Sequence, residues 1–257
     1  MKAKEITSII EEFAPLQFQE RWDNSGYCIG SPEQEVHSAL IGLDCTPELV
    51  DEAIRCGADM IITHHPLIFG GVSKINPETN LGYMIYKAIR HGIVVYSCHT
   101  NMDKVLEGVS GLMASRLALE DVAILDKGDS DEGLGVVGTL PSPMLDEEFA
   151  RVVKERFSLK CLRCSRPAGR VITRVALCGG AGKSLLSKAI AAGADAYITG
   201  DVSYHDFLTE KGFFLMDIGH YEGEIDIVRK ISDLLKEKIP TFAVRLITEN
   251  NNLVHYI

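Results

Sequence analysis

His64 and His65 stand side by side behind the apolar run Met60-Ile61-Ile62-Thr63 and ahead of Pro66, where a strand breaks into a loop. Neutral imidazole is the commonest side-chain metal ligand, and two ligands on one backbone anchor suit two closely spaced ions. Further along, His99-Thr100-Asn101-Met102-Asp103 and His220-Tyr221-Glu222-Gly223-Glu224 each set a histidine four residues ahead of a carboxylate. Four residues is just over one helical turn, so His220 and Glu224, at a helix start, can share one face. The positive end of the helix dipole favours an ionised glutamate and a neutral imidazole there, which keeps both ready for a cation. His64, His65, Asp103, His220 and Glu224 make a mixed nitrogen and oxygen shell, suited to zinc, iron, manganese, cobalt or nickel over magnesium or calcium. Five protein ligands exceed the roughly three typical of one open catalytic ion. Two divalent cations account for them more simply, bridged by Glu224 or by a hydroxide.

Other chemistry-bearing residues are more ambiguous. His99 reads as a group that orients a ligand or a metal-bound water and shuttles protons, or as a packed core imidazole. His205, in Thr199-Gly200-Asp201-Val202-Ser203-Tyr204-His205, reads as lining a substrate pocket. His37, His91 and His255 stand alone and read as surface residues. Gly179-Gly180-Ala181-Gly182-Lys183-Ser184 looks like a phosphate-binding P-loop, but Leu177 occupies the place of its first glycine. Gly180, Gly182 and Lys183 could still cradle a phosphate through backbone amides, against the plainer reading of a tight turn that needs positive φ. Cys161-Leu162-Arg163-Cys164 has no second pair and no neighbouring histidines, so a zinc ribbon is not indicated.

The elements that must position these groups alternate. Met1 to Glu5 runs into an amphipathic helix with Ile6, Ile9, Ile10 and Phe13 on one face. Thr46 is an N-cap with Pro47 at the first helical position and Gly57 as the left-handed stop, which predicts a helix of about three turns. The strand Met60–Thr63, a helix around Leu81 to Arg90 ending at Gly92, and the strand Ile93–Tyr96 follow. Such alternation argues for parallel pairing, and in open α/β sheets the useful crevice lies beyond the carboxyl ends of the strands, where every ligand candidate falls.

The chain also echoes itself. Ala53-Ile54-Arg55-Cys56-Gly57-Ala58-Asp59-Met60-Ile61-Ile62-Thr63 recurs as Ala189-Ile190-Ala191-Ala192-Gly193-Ala194-Asp195-Ala196-Tyr197-Ile198-Thr199, and Lys87 to Gly92 with its strand resembles Glu210-Lys211-Gly212 with Phe213 to Asp217. The period is far too long for a solenoid. The expected fold class is therefore α/β, with two related halves of mostly parallel sheet flanked by helices and a metal site in the cleft between them. The expected division is 1–127, a turn-rich junction over 128–170 with one amphipathic helix carrying Phe149, Val152 and Val153, and 171–257. The last segment should hold a helix near Ile225 to Lys238 and a hairpin of 242–247 with 253–257 across Asn250-Asn251-Asn252.

At 257 residues and 46% hydrophobic content the chain can bury a substantial core without staples. A formal charge of −10 disfavours nucleic acid, which asks for a basic face. Seven scattered cysteines, an odd number, and a start without a secretory pattern indicate a reducing, cytoplasmic setting. No apolar stretch approaches membrane-span length.

Trp22-Asp23-Asn24-Ser25-Gly26, Ile62-Thr63-His64-His65-Pro66, His99-Thr100-Asn101-Met102-Asp103, Cys178-Gly179-Gly180-Ala181-Gly182 and Gly219-His220-Tyr221-Glu222-Gly223-Glu224, in that order, resemble the Nif-three-like dinuclear metal family, whose bacterial members carry the label GTP cyclohydrolase I type 2 homolog. The resemblance spans almost the whole chain. It implies a two-domain α/β protomer, a toroidal homohexamer and two divalent cations, with His64 and Asp103 on one, His65 and His220 on the other, and Glu224 bridging. Tyr27 departs from the aliphatic residue usual after the glycine of the tryptophan motif, and the central insert of longer members is absent. The leading expectation is a metal-dependent hydrolase of a nucleotide or related nitrogen heterocycle. Its rival is a non-enzymatic ring-shaped oligomer that binds metal or a partner, and counting the non-protein ligands on each ion would separate them.

Overall fold

A computed structural model of the protein describes residues 1–128, 131–210, 212–248 and 252–257. In chain order the elements are α1 (Ala3–Phe13), β1 (Gly26–Ile29), β2 (Ser38–Gly42), α2 (Pro47–Cys56), β3 (Met60–Thr63), α3 (Asn80–Arg90), β4 (Val94–Ser97) and the short α4 (Thr100–Asp103). Then come α5 (Val109–Arg116), β5 (Glu120–Lys127), β6 (Gly133–Leu145), α6 (Asp146–Arg156), β7 (Arg163–Cys164), β8 (Val171–Leu177) and α7 (Leu186–Ala191). The chain closes with β9 (Ala196–Thr199), β10 (Phe214–Asp217), α8 (His220–Glu224), α9 (Asp226–Lys238) and β11 (Ala243–Leu246).

Residues 1–102 and 227–253 form one compact unit, and residues 103–226 with 254–257 form the other. The first unit holds a sheet in the order β1-β4-β3-β2-β11, parallel except for the β1–β4 edge. Its buried strands Met60–Thr63 and Val94–Ser97 have no polar alternation because both sheet faces are covered. Leu49, Val50 and Ala53 of α2 and Met84, Ile85 and Ala88 of α3 pack with Leu40, Ile61 and Val95. Helix α2 starts and stops as its sequence prescribes: Thr46 Oγ1 accepts from the Leu49 amide at 3.2 Å, and Gly57 closes it at φ 68°.

The second unit's sheet runs β5-β6-β8-β9-β10-β7. Only β8–β9 and β9–β10 are parallel, so the expectation of a mostly parallel second half is corrected to a mixed sheet. The reason lies in 128–170. That stretch supplies the 13-residue strand β6, which joins β5 and β8 on both sides, and helix α6, whose Phe149 and Val153 are fully buried in the unit's core. It is therefore part of the second sheet and not a junction; Asp129 and Ser130 lie outside the described residues.

The expected C-terminal hairpin is also corrected. β11 pairs in parallel with β2, Ala243 opposite Ser38 through Leu246 opposite Ile41. Coming straight out of α9, the strand reaches the open edge of β2 in the direction a helical crossover allows. Leu253 to Ile257 form no strand, and the Asn250-Asn251 turn lies outside the described residues.

The internal echo proves to be structural. Ala58 N–H donates to Ala53 O and Ala194 N–H to Ala189 O, closing each helix at a left-handed glycine. Asp59 Oδ2 then accepts the His37 and Ser38 amides, and Asp195 Oδ2 accepts those of Thr173 and Arg174. In both halves the aspartate accepts two consecutive amides of the neighbouring parallel strand, at the start of β2 in the first and within β8, just ahead of its pairing with β9 at Val175, in the second. Lys211, within the weaker part of the echo, lies outside the described residues. Asp195→Ala would leave two amide donors within β8, Thr173 and Arg174, without this acceptor, and is expected to cost about 1–3 kcal/mol in urea unfolding.

Candidate metal centre

In the first unit the break after β3 is fixed by the backbone. His64 and His65 N–H both donate to Leu43 O, at 3.1 and 3.0 Å, and Thr63 Oγ1 donates to His65 O at 2.7 Å. Each imidazole is then oriented through Nδ1. His64 Nδ1 lies 2.9 Å from Cys98 O, His65 Nδ1 2.8 Å from Asp44 Oδ1, and His99 Nδ1 2.8 Å from Asp23 Oδ1. A carbonyl or carboxylate oxygen at Nδ1 can only accept, so it places the proton there and the lone pair on Nε2. Tying back the other ring nitrogen in this way is what metal-ligating histidines do. The three rings cluster at 5.0, 5.2 and 5.4 Å between centroids, and one ligand atom from each lies within 4.8 Å of the others, a group that could hold a metal ion.

Asp23 is a heavily bonded carboxylate. Besides His99 it accepts from Ser25 Oγ, Asn24 N, Thr100 N and Thr100 Oγ1. Burial opposes its ionisation, but the hydrogen bonds from His99, Thr100 and the Asn24 amide prevail and hold its carboxyl well below the usual range. A fixed negative charge thus backs His99.

In the second unit His220 opens α8 behind β10, after Gly219 at φ 90°. Its Nδ1 lies 2.8 Å from Asp201 Oδ2, and its Nε2 lies 3.1 Å from Glu224 Oε2, so the expected one-turn pairing of His220 with Glu224 is present. By the repeat, Gly200 and Asp201 occupy the positions of His64 and His65. A Cβ at Gly200 would lie 2.9 Å from the His220 amide nitrogen, so no histidine fits there; Asp201 instead orients the histidine supplied by α8. Asp103 begins this unit at the end of α4. Burial above all, with a smaller contribution from the charges of Asp103 and Glu224, pushes the Cys178 thiol up to about 12.

The glycine turn is closely packed. Gly180, at φ +60°, passes so close to Glu224 Oε1 that a Cβ would collide with it, and a Cβ at Gly182 would meet Cys178, Thr199 and Tyr197 at 2.6–2.7 Å. The Gly182 amide donates to Thr199 Oγ1 and its carbonyl accepts from Tyr197 Oη. Lys183 pairs with Asp206 at 2.8 Å, and the exposed His205 ring stands edge-on to Tyr204 at 5.2 Å. Asp23, Asp44 and Asp201, which hold three of the histidines, were not among the residues singled out from the sequence; a carboxylate just past a strand end was the available signal for the latter two. Asp44→Asn and Asp201→Asn are each expected to weaken metal binding about 10–100-fold with an unchanged circular-dichroism spectrum, measured by competition with a chromogenic chelator.

Two sheets that share a parallel three-strand layout, with oriented histidines and carboxylates at the strand ends, define a two-unit α/β protein with groups that could hold a metal ion. The Duf34/NIF3 (NGG1p interacting factor 3) family model matches residues 1–252. The chain belongs to that family. It is 37% identical over 244 residues to the GTP cyclohydrolase 1 type 2 homolog of Clostridium perfringens, covering 93% of each chain, and 35% identical over 260 residues to that of Clostridium acetobutylicum, covering 98% and 97%. Among solved structures, Staphylococcus aureus protein SA1388 superposes with TM-score 0.92 at 28% identity, covering 100% of this chain and 99% of that one. Reduced HcgD from Methanocaldococcus jannaschii superposes at 0.81 and 28%, covering 97% and 98%. Among the described residues no helix is long and apolar enough to cross a membrane.

Proposed function

We propose that this chain is a metal-dependent hydrolase of a nucleotide or related nitrogen heterocycle, working with two divalent cations of zinc, iron or manganese. The observation that carries the reading is that His64, His65, His99 and His220 each have Nδ1 held by an oxygen acceptor, which leaves four Nε2 lone pairs available, three for ions and that of His99 for a proton. His64 and Asp103 would hold one ion, His65 and His220 the other, with Glu224 bridging. When bound, such a pair supplies a hydroxide near neutral pH and a Lewis acid for the substrate.

The chain's own groups supply the rest. Cys98 O, Asp44 and Asp201 keep the ligand rings from turning. His99 takes up a proton at Nε2 while Asp23 stabilises the resulting imidazolium through Nδ1–H, a division of labour familiar from histidine–aspartate pairs. The name shared by the Clostridium relatives, GTP cyclohydrolase 1 type 2 homolog, supports a nucleotide as substrate. Self-association as a homohexamer belongs to the same proposal, and light scattering would give six times the protomer mass. Incubation of metal-loaded protein with GTP and a panel of nucleotides and pterins tests the activity by loss of ring absorbance. Ring opening that stops on chelation is the expected result; a metal-loaded sample inert to the whole panel contradicts the hydrolase and favours a non-enzymatic metal-binding oligomer.

A further inference from the structure

Trp22, the single tryptophan of the chain, is 62% exposed, and Phe69 is 52% exposed. Large aromatic rings are strongly buried on average, so an exposed pair of them calls for a reason. Their rings are near-parallel, 18° apart with centroids at 6.4 Å. Both meet His99 edge-on, Trp22 at 6.0 Å and Phe69 at 5.4 Å. Trp22 is anchored by its neighbour in sequence, since Asp23 is locked to His99, Ser25 and Thr100, and Asn24 Nδ2 donates to Ile68 O beside Phe69. The two loops bearing the rings are thus tied together and to the histidine cluster. The two rings are held in place and yet each stays more than half exposed.

We infer that Trp22 and Phe69 form a stacking platform for a planar heteroaromatic ring, which they deliver edge-first to His99 and the histidine cluster. This rests on the hydrolase reading and names how the substrate is held. An indole offers a flat π-face that any base or pterin can cover, and such stacking typically contributes about 1–3 kcal/mol, roughly 5- to 150-fold in affinity. A flexible aliphatic or purely phosphate ligand would gain nothing from two parallel rings. Occupation by a second copy of the chain is the competing use of the same patch. Trp22 and Phe69 are positioning residues here, and the chemistry stays with the groups at the cluster.

Because the chain has one tryptophan, its fluorescence reports this site alone. Metal-loaded wild-type protein is titrated with GTP, ATP and inorganic tripolyphosphate, with affinities also measured by equilibrium dialysis. Saturable quenching by a purine nucleotide and none by tripolyphosphate is expected. Trp22→Leu should weaken nucleotide binding about tenfold or more and raise KM with little change in kcat, Trp22→Phe should restore most of it, and metal content should stay at the wild-type level. Equal quenching by tripolyphosphate, no ring-dependent binding of either nucleotide, or undiminished affinity in Trp22→Leu would overturn the platform. Quenching that grows with protein concentration in the absence of nucleotide would also overturn it, in favour of a second copy. Ring-dependent quenching without turnover would sink the hydrolase reading and leave the platform standing; turnover with an unchanged KM in Trp22→Leu would do the reverse.

Discussion

Glu224→Ala and His64→Ala are expected to strip the protein of metal and activity while leaving it folded. Both side chains are buried, Glu224 at 4% and His64 at 0% exposure, yet neither belongs to the apolar clusters that hold the sheets together. Glu224 sits 3.1 Å from His220 Nε2, the atom that would hold an ion, and its loss removes the proposed bridge shared by both ions. Outer-shell partners of a metal typically account for about 10–100-fold in affinity, so a ligand should account for more, and activity should fall by at least about 10²-fold. Without a cation, removing the carboxylate relieves repulsion with Asp103, which offsets the loss of its 3.1 Å approach to His220 Nε2. The Glu224→Ala protein should therefore unfold in urea at a midpoint no lower than metal-free wild type, whereas metal-loaded wild type should be more stable than either. A variant that kept two ions, or that lost its circular-dichroism signal along with its metal, would contradict the assignment.

Gly180→Ala is expected to reproduce much of this loss without touching a ligand. At φ +60° an alanine is strained by about 1–2 kcal/mol, and its methyl group would press on Glu224 Oε1. The carboxylate must move, and with it the geometry that His220 and Glu224 share. Gly57→Ala isolates the backbone part: it too sits in the left-handed region, at φ +68°, but a Cβ there meets nothing within 4 Å. The two variants should lose comparable stability from strain, with Gly180→Ala somewhat the worse, and only Gly180→Ala should lose metal affinity, by about tenfold or more. Chelator competition on the pair decides it; equal affinities would mean that Glu224 tolerates displacement and is not a bridging ligand.

What the sequence made legible follows from which interactions are local. Thr46, Pro47 and Gly57 announce α2 because caps act within a few residues, and the Gly-Ala-Asp repeat announces two equivalent helix stops and strand entries for the same reason. The pairing of His220 with Glu224 was readable from helix geometry alone. The glycine turn pointed two ways, and the packing of Gly180 on Glu224 supplies a reason for glycine there. The return of α9 and β11 to the first unit was not legible, since β11 pairs with a strand some two hundred positions earlier and nothing in either segment specifies that partner. The carboxylates behind the histidines escaped for a related reason. Asp44, Asp23 and Asp201 lie 21, 76 and 19 residues from the histidines they orient, and only the folded sheet brings them together.

The claim on which the rest depends is that His64, His65, Asp103, His220 and Glu224 hold two ions. Metal analysis of wild-type protein, purified without chelators and desalted gently, tests it most directly. Two divalent cations per chain are expected, with nitrogen and oxygen neighbours at about 2.0–2.2 Å in the X-ray absorption spectrum of the bound metal. A protein that emerges folded but with no stoichiometric metal, and takes up none on incubation with zinc, iron or manganese, would contradict it.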